Sequence, residues 1–252
     1  MDPFRLTSKK VLTLVMVIDK EQQKILLGYK KRGFGAHLWN GFGGKVEPGE
    51  TPQQGALREL EEEAGITAKP EGFQKAGLLL FLFENDPVGL ETHVYKAYSY
   101  QGQIRECDEM RPQWFNFADI PYDQMWEDDR IWLPILLKEQ APFFGRMYFK
   151  RRPLEESVPD QLTNLSTSTS TTSTAATTAT TTITTASATP VVVETNSSTP
   201  IASLSKTMTA TSFTPGQPKS GPFTMFEYHI EQNLLAPPKE IALDGTIASF
   251  EN

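Results

Sequence analysis

Residues 44–66 read GKVEPGETPQQGALRELEEEAGI, a glycine-led loop running into aliphatic and acidic side chains at helical spacing. Gly65 follows the last of them, and glycine commonly stands just past a helix C-terminus, so a helix is expected over residues 52–64. With Glu59 at zero and about 100° per residue, Glu62 falls near about −60° and Glu63 near about +40°, so three carboxylates share one face. Ala56, Leu57, Leu60 and Ala64 occupy about 60° to 160°, an apolar stripe able to dock the helix on a sheet. Glu61 points away, near about 200°, and is expected to be solvated.

Like charges at i, i+3 and i+4 repel by roughly a few tenths of a kcal/mol per pair when exposed, and by far more beside an apolar stripe. A cation is therefore expected among them. Mg²⁺, a hard ion held by a few carboxylates and by phosphate oxygens, meets that need where phosphates are the substrate. Arg58, about 100° from Glu59, can brace a carboxylate without replacing the metal. A bare ExxEE reads best as an ordinary acidic helix with a solvated face. The glycines ahead of it change that reading, because Gly41, Gly43 and Gly44 have no side chain to keep backbone groups away from a ligand or metal.

The flanks supply a sheet. Residues 11–18 and 24–31 read as a strand hairpin, further strands are expected at residues 77–83, 93–100, 113–117 and 143–151, and a helix at about 128–140, kinked or restarted at Pro134. Residues 164–199 are almost entirely Thr, Ser and Ala, a composition unable to bury enough apolar surface to offset its chain entropy. After it, FTMFEYHIE at residues 223–231 alternates apolar and polar side chains like a half-buried strand. The Thr/Ser-rich stretch is therefore read as an insertion in a loop, tolerable because closure entropy rises only about 0.6 kcal/mol per doubling of length. The alternative is a short linear motif within a disordered tail. The expected organisation is a domain over residues 1–157, a disordered insertion over 158–222, the domain's final strand at 223–232 and a flexible tail over 233–252.

Composition excludes several classes. A net charge of −7 disfavours binding a nucleic-acid polymer, which rests on clustered Lys and Arg. No apolar stretch reaches the roughly 18 residues of a membrane span, and the first ten residues lack an apolar run of signal-peptide length. A soluble, cytoplasmic protein is expected, with mitochondrial or nuclear placement left open. The single Cys107 cannot form an internal disulfide and reads as a small packed residue.

Gly44, Glu50, Arg58, Glu59, Leu60, Glu62, Glu63, Gly65 and Ile66 match every fixed position of the Nudix box, G-x5-E-x7-R-E-U-x-E-E-x-G-U, and the chain resembles the Nudix hydrolases on that ground. The resemblance implies an α/β/α sandwich around a mixed sheet and hydrolysis of a nucleoside diphosphate linked to another group. It implies Mg²⁺ held by Glu59, Glu62 and Glu63, joined by the Gly44 carbonyl, with Glu50 and Arg58 supporting loop and helix. Glu62 or Glu63 would be the general base for an in-line attack by water.

Outside the box, KKRGFGAHLWNGFGGKVEPGE, DEMRPQWF and IPYDQMWEDD resemble the branch of the family that hydrolyses oxidised purine nucleoside triphosphates, such as 8-oxo-dGTP and 2-hydroxy-dATP, to monophosphate and pyrophosphate. By that resemblance Asn40, Asp128 and Asp129 read the purine edge, Trp126 stacks on the base, and Phe34 and Phe81 line the pocket. Thr13 and Lys30 stand at its margin, Phe42, Gly43, Gly44 and Lys45 contact the nucleotide, and Glu109 is a further metal ligand. Two adjacent carboxyls in an apolar pocket cannot both ionise cheaply, so one is expected to donate while its neighbour accepts, which suits either base. Trp126 as a core residue and the Asp pair as a helix N-cap are the plainer readings, and both roles can coexist at a helix start. His37 and Leu38 stand where this branch leads one to expect Gly-Arg, and Glu127 where it leads one to expect proline. The other functions compatible with the box are a Nudix hydrolase for dinucleoside polyphosphates or nucleotide sugars, and a non-catalytic nucleotide-binding module. A monomer acting on a small nucleotide is expected.

Overall fold

Thr51 opens helix α1 (Pro52–Ala64) with a capping box: its hydroxyl accepts the Gln54 N–H, and the Gln54 side chain accepts the Thr51 N–H. Pro52 at the first helical position lacks only an N–H that the helix would leave unpaired. Gly65 closes the helix at φ 74°, a left-handed conformation that L side chains seldom adopt. The computed structural model describes residues 2–138, 142–151, 206–210, 223–232 and 236–251.

The remaining elements are β1 (Ser8–Asp19), β2 (Lys24–Lys30), β3 (Trp39–Asn40), β4 (Ile66–Ala68), β5 (Phe73–Phe83), β6 (Val88–Ala97), β7 (Tyr100–Gly102), β8 (Met110–Asn116), α2 (Asp129–Leu137), β9 (Phe143–Arg151), β10 (Lys206–Ala210), β11 (Phe223–Gln232), β12 (Pro238–Ile241) and β13 (Ile247–Phe250). The large sheet runs β10-β11-β9-β5-β6-β1-β2-β3, with β8 also on β2. It is mixed, because β1 and β6 are parallel, as are β5 and β9, while the other pairs are antiparallel. On one face Ala56, Leu60 and Ala64 of α1 pack with Val15, Val17, Leu26 and Phe42. On the other, Trp132, Leu133 and Leu136 of α2 pack with Leu14, Met16, Leu79 and Met147. Each fully buried leucine contributes about 1.5–3 kcal/mol. Helices on both faces of a mixed sheet make the expected α/β/α sandwich.

Several expected boundaries move. The strand foreseen at residues 77–83 begins at Phe73, because its register on β6 shifts between Lys75 and Gly77 and so breaks the period-two pattern. The helix foreseen at 128–140 ends at Leu137 and runs through Pro134 without restarting. The segment at 223–231 joins the sheet beside β9, but it is not the last strand. Residues 233–252 were expected as a flexible tail, and the described part, 236–251, is instead the β12–β13 hairpin. Ile241 is fully buried with Leu6, Leu78, Leu80, Leu82 and Phe144. Its N–H donates to Glu91 at 3.2 Å, and its carbonyl accepts from Lys9. The disordered insertion foreseen over 158–222 lies outside the described residues except for 206–210, which correct it by forming a strand on β11.

Candidate active site

The glycine loop is strung along β1. Val15 and Phe42 exchange backbone hydrogen bonds, Thr13 N–H donates to Gly44 O at 2.8 Å, and Val46 N–H donates to Val11 O at 3.1 Å. A Cβ on Gly43 would run into the Thr13 carbonyl, and one on Gly44 into the Glu59 carboxylate. The missing side chains let this backbone meet the carboxylates of α1, and Gly43 N–H donates to Glu63 Oε2 at 2.8 Å.

Arg58 fans across loop and helix. Its Nε donates to Glu50 Oε1 at 2.8 Å, its Nη2 to Lys45 O at 3.0 Å, and its Nη1 to Glu59 Oε1 at 3.1 Å and Glu62 Oε2 at 3.2 Å. Glu50 also accepts the Glu47 N–H at 3.0 Å, and these bonds hold its pKa low. Lys30 Nζ lies 2.7 Å from Glu109 Oε1 and 3.8 Å from Glu63 Oε1. Burial raises Glu59, and it raises Glu63 to about 7 against the pull of Gly43 N–H and Lys30.

Both shifts come first from burial, which strips the ionised carboxylates of water that Arg58 and Lys30 only partly replace, and the donors are all hard oxygens, so the set fits a divalent cation. Among the described residues, however, no three acidic, His or Cys side chains converge into a ready cage. Arg58 draws Glu59 and Glu62 to one side while Lys30 holds Glu109 and Glu63 on the other. The donor chemistry outweighs this spread, because Glu62 and Glu109 have the most exposed side chains of the set and reorient by side-chain rotation alone. The Gly44 carbonyl, engaged by Thr13 N–H, keeps a second lone pair.

A cleft of about 590 Å³ extends from these carboxylates to the loop before α2. Thr13, Lys30, Phe34, Asn40, Gly43, Gly44, Lys45, Phe81, Trp126, Asp128 and Asp129 line it, together with Arg58, Glu59, Glu62, Glu63 and Glu109. Phe42 does not: it is 0% exposed and packs against α1. This corrects its assignment as a nucleotide contact, since the antiparallel bridge to Val15 turns its ring toward the helix. Leu14, Phe83, Leu90, Trp132 and Phe149 line the cleft without having been foreseen; apolar strand and helix positions look like core in sequence.

At the far end Asp128 and Asp129 are 3% and 2% exposed. Asp128 occupies the N-cap position of α2 but makes no side-chain capping bond. Its Oδ2 accepts instead from the Trp132 indole N–H at 2.9 Å, while Asp129 Oδ2 accepts the Trp126 N–H at 3.0 Å. Asn40 Oδ1 accepts the Gly41 N–H at 2.8 Å, leaving its amide as a donor. Phe34, 60% exposed, stacks on Trp126 at 5.1 Å between ring centroids. Leu38, where an arginine was expected, is buried, and the His37 ring lies beside Tyr29.

The NUDIX domain matches residues 9–136. Over 143 residues the chain is 48% identical to an oxidized purine nucleoside triphosphate hydrolase of Danio rerio, covering 57% of this chain and 87% of that one. It is 43% identical over 145 residues to the Mus musculus protein of the same name, covering 58% and 90%. The chain belongs to the Nudix family. A crystal structure of a MutT protein from Bacillus halodurans superposes with a TM-score of 0.50 at 22% identity, over 56% of this chain and 90% of that one, which bears on the fold alone. The Nudix box thus spans the loop on β1, the Glu50–Arg58 brace, the acidic face of α1 and its glycine cap. As a Nudix hydrolase the chain works with a divalent metal on small nucleotides.

Proposed function

We propose that the protein hydrolyses oxidised purine nucleoside triphosphates, 8-oxo-dGTP and 2-hydroxy-dATP among them, to the monophosphate and pyrophosphate, as a monomer and with Mg²⁺. The observation that carries this reading is that one cleft joins the acidic face of α1 to Asn40, Trp126, Asp128 and Asp129. The relatives named above, matched over most of their length, support it.

Glu59, Glu62, Glu63, Glu109 and the Gly44 carbonyl would hold Mg²⁺, which neutralises phosphate charge and lowers the pKa of water when bound. Lys30 and Lys45 offer further positive charge to the phosphates. Arg58 and Glu50 keep the loop against the helix, so the carboxylates and the Gly43–Gly44 backbone stay in one place. At the other end, the amide of Asn40 donates while Asp128 and Asp129, oriented by Trp132 and the Trp126 N–H, face the purine edge. Phe34 and Trp126 offer aromatic faces to the base.

The test is kcat/KM for 8-oxo-dGTP, 2-hydroxy-dATP, dGTP and dATP with Mg²⁺, products being separated by ion exchange. A strong preference for the two oxidised purines, with monophosphate and pyrophosphate released, is expected. Equal or negligible turnover of all four would remove the substrate assignment and leave the family untouched.

A further inference from the structure

We propose that Glu127 is a positioning residue for the purine end of the cleft, holding the loop that carries Trp126, Asp128 and Asp129 against β11. The inference rests on the nucleotide-binding reading of that loop given above. Glu127 stands between the residue that would stack on the base and the two that would read its edge, yet it is not among those lining the cleft. Its side chain is buried and reaches β11. Glu127 Oε2 accepts the Met225 N–H at 2.8 Å and the Thr224 hydroxyl at 3.1 Å, and Oε1 lies 3.4 Å from the same hydroxyl.

β11 is a firm anchor for such a latch. It pairs with β9 along its length, and Met225, Tyr228 and Ile230 are buried in the core beneath α2. Its register on β9 slips between Met225 and Glu227, next to the residue whose N–H goes to Glu127. Phe223 of the same strand packs edge-on against Phe83, a cleft residue, at 4.9 Å. Removing the acceptor leaves Met225, 1% exposed, with a buried N–H that has lost its acceptor. The loop before α2 therefore takes its position from a strand nearly a hundred residues away in the chain, and an error of about 1 Å in such a loop weakens binding of a ligand that must meet two fixed carboxyls.

Steady-state kinetics of the full chain with 8-oxo-dGTP and dGTP in Mg²⁺ test this, comparing the parent with Glu127→Ala, Glu127→Gln, Thr224→Val and Trp126→Ala. Glu127→Ala is expected to raise KM for 8-oxo-dGTP about tenfold with kcat within about threefold, and to narrow the preference over dGTP. Glu127→Gln keeps a carbonyl oxygen for the Met225 N–H and should stay within about threefold of the parent in KM. In hydrogen exchange, amides of residues 125–129 and 223–228 should exchange faster in Glu127→Ala while those of α1 do not. Parental KM and preference in Glu127→Ala, alongside weakened binding in Trp126→Ala, would overturn the latch and leave the pocket standing. Parental values in both variants would overturn the pocket reading and the latch with it. Should Glu127→Ala fail to fold, Thr224→Val decides: a KM raised about threefold supports the latch, and an unchanged one overturns it.

Discussion

Glu63 sits where burial and charge conflict most directly. Its pKa rises from 4.5 to about 7, first because burial strips water from the carboxylate, so keeping it ionised in the folded chain costs roughly 3 kcal/mol. A carboxyl raised on folding gives stability that is complete below 4.5 and is lost as pH climbs through about 7. In chelator the melting temperature should therefore fall between about pH 5 and 8. A divalent cation binds the ionised form, so the gain in melting temperature on adding Mg²⁺ should be larger at pH 8 than at pH 6 by about 5 °C. Taking the difference removes groups remote from the ion, such as His93 and Glu91. An equal gain at both pH values would show that Glu63 does not face the metal. The same residue should be sensitive to loss of charge: Glu63→Gln is expected to lower kcat at least about a hundredfold, and full activity with undiminished metal dependence would refute its role. At the opposite end of the cleft, Asp128→Asn and Asp129→Asn each fix one member of the pair as a permanent donor. Each should change the ratio of 8-oxo-dGTP to 2-hydroxy-dATP turnover by about tenfold, and parental ratios in both would exclude reading of the base by the pair.

At the level of elements, α1 separates what is read from sequence from what is not. Its ends fall at Pro52 and Ala64 as the sequence leads one to expect, with Gly65 just past the last turn, and its acidic face and apolar stripe follow from spacing alone. Thr51 fastens one end through the capping box, so Thr51→Ala should cost about 1 kcal/mol in stability, read by urea melts, with kcat/KM unchanged. The glycine loop was legible as a place of close approach, and Gly44 shows why, since only a hydrogen there leaves room for Glu59. Phe42, by contrast, was misplaced because a loop carries no periodicity to say which way a ring points. The hairpin of β12 and β13 was missed although Asp244-Gly245 is a strong turn signal, with Gly245 at φ 82°. Its flanking strands are four residues each, and what holds them is long-range: the amide and carbonyl of Ile241 find Glu91 and Lys9. Glu127 stands out in the sequence only as a departure from the expected proline, and its bonds to Thr224 and Met225 were illegible there because those partners lie nearly a hundred residues away.

Across the whole molecule, the two C-terminal pieces do different work, and truncation separates them. The hairpin closes the face away from the cleft: Lys9, Glu91 and His93 form a buried chain, Lys75 meets Glu251 at 2.7 Å, and no hairpin residue lines the active cleft. Ending the chain after Gln232 uncovers the cluster under Ile241 and leaves Glu91 without one of its donors. About 1.5–3 kcal/mol of apolar burial from Ile241 is then lost, together with its bonds to Glu91 and Lys9 and the Lys75–Glu251 pair. A fall in melting temperature of about 5–10 °C with kcat/KM within about threefold of the parent is expected. Ending it after Pro159 removes β11 as well, and with it Met225, Tyr228 and Ile230 from the core under α2 and the Thr224 and Met225 donors to Glu127. That shorter chain is expected to lose at least about a hundredfold in kcat/KM or to fail to fold, since each large buried side chain removed costs about 2–5 kcal/mol. If it kept full activity, β11 would be dispensable to the core, and the Nudix domain of this chain would end at β9.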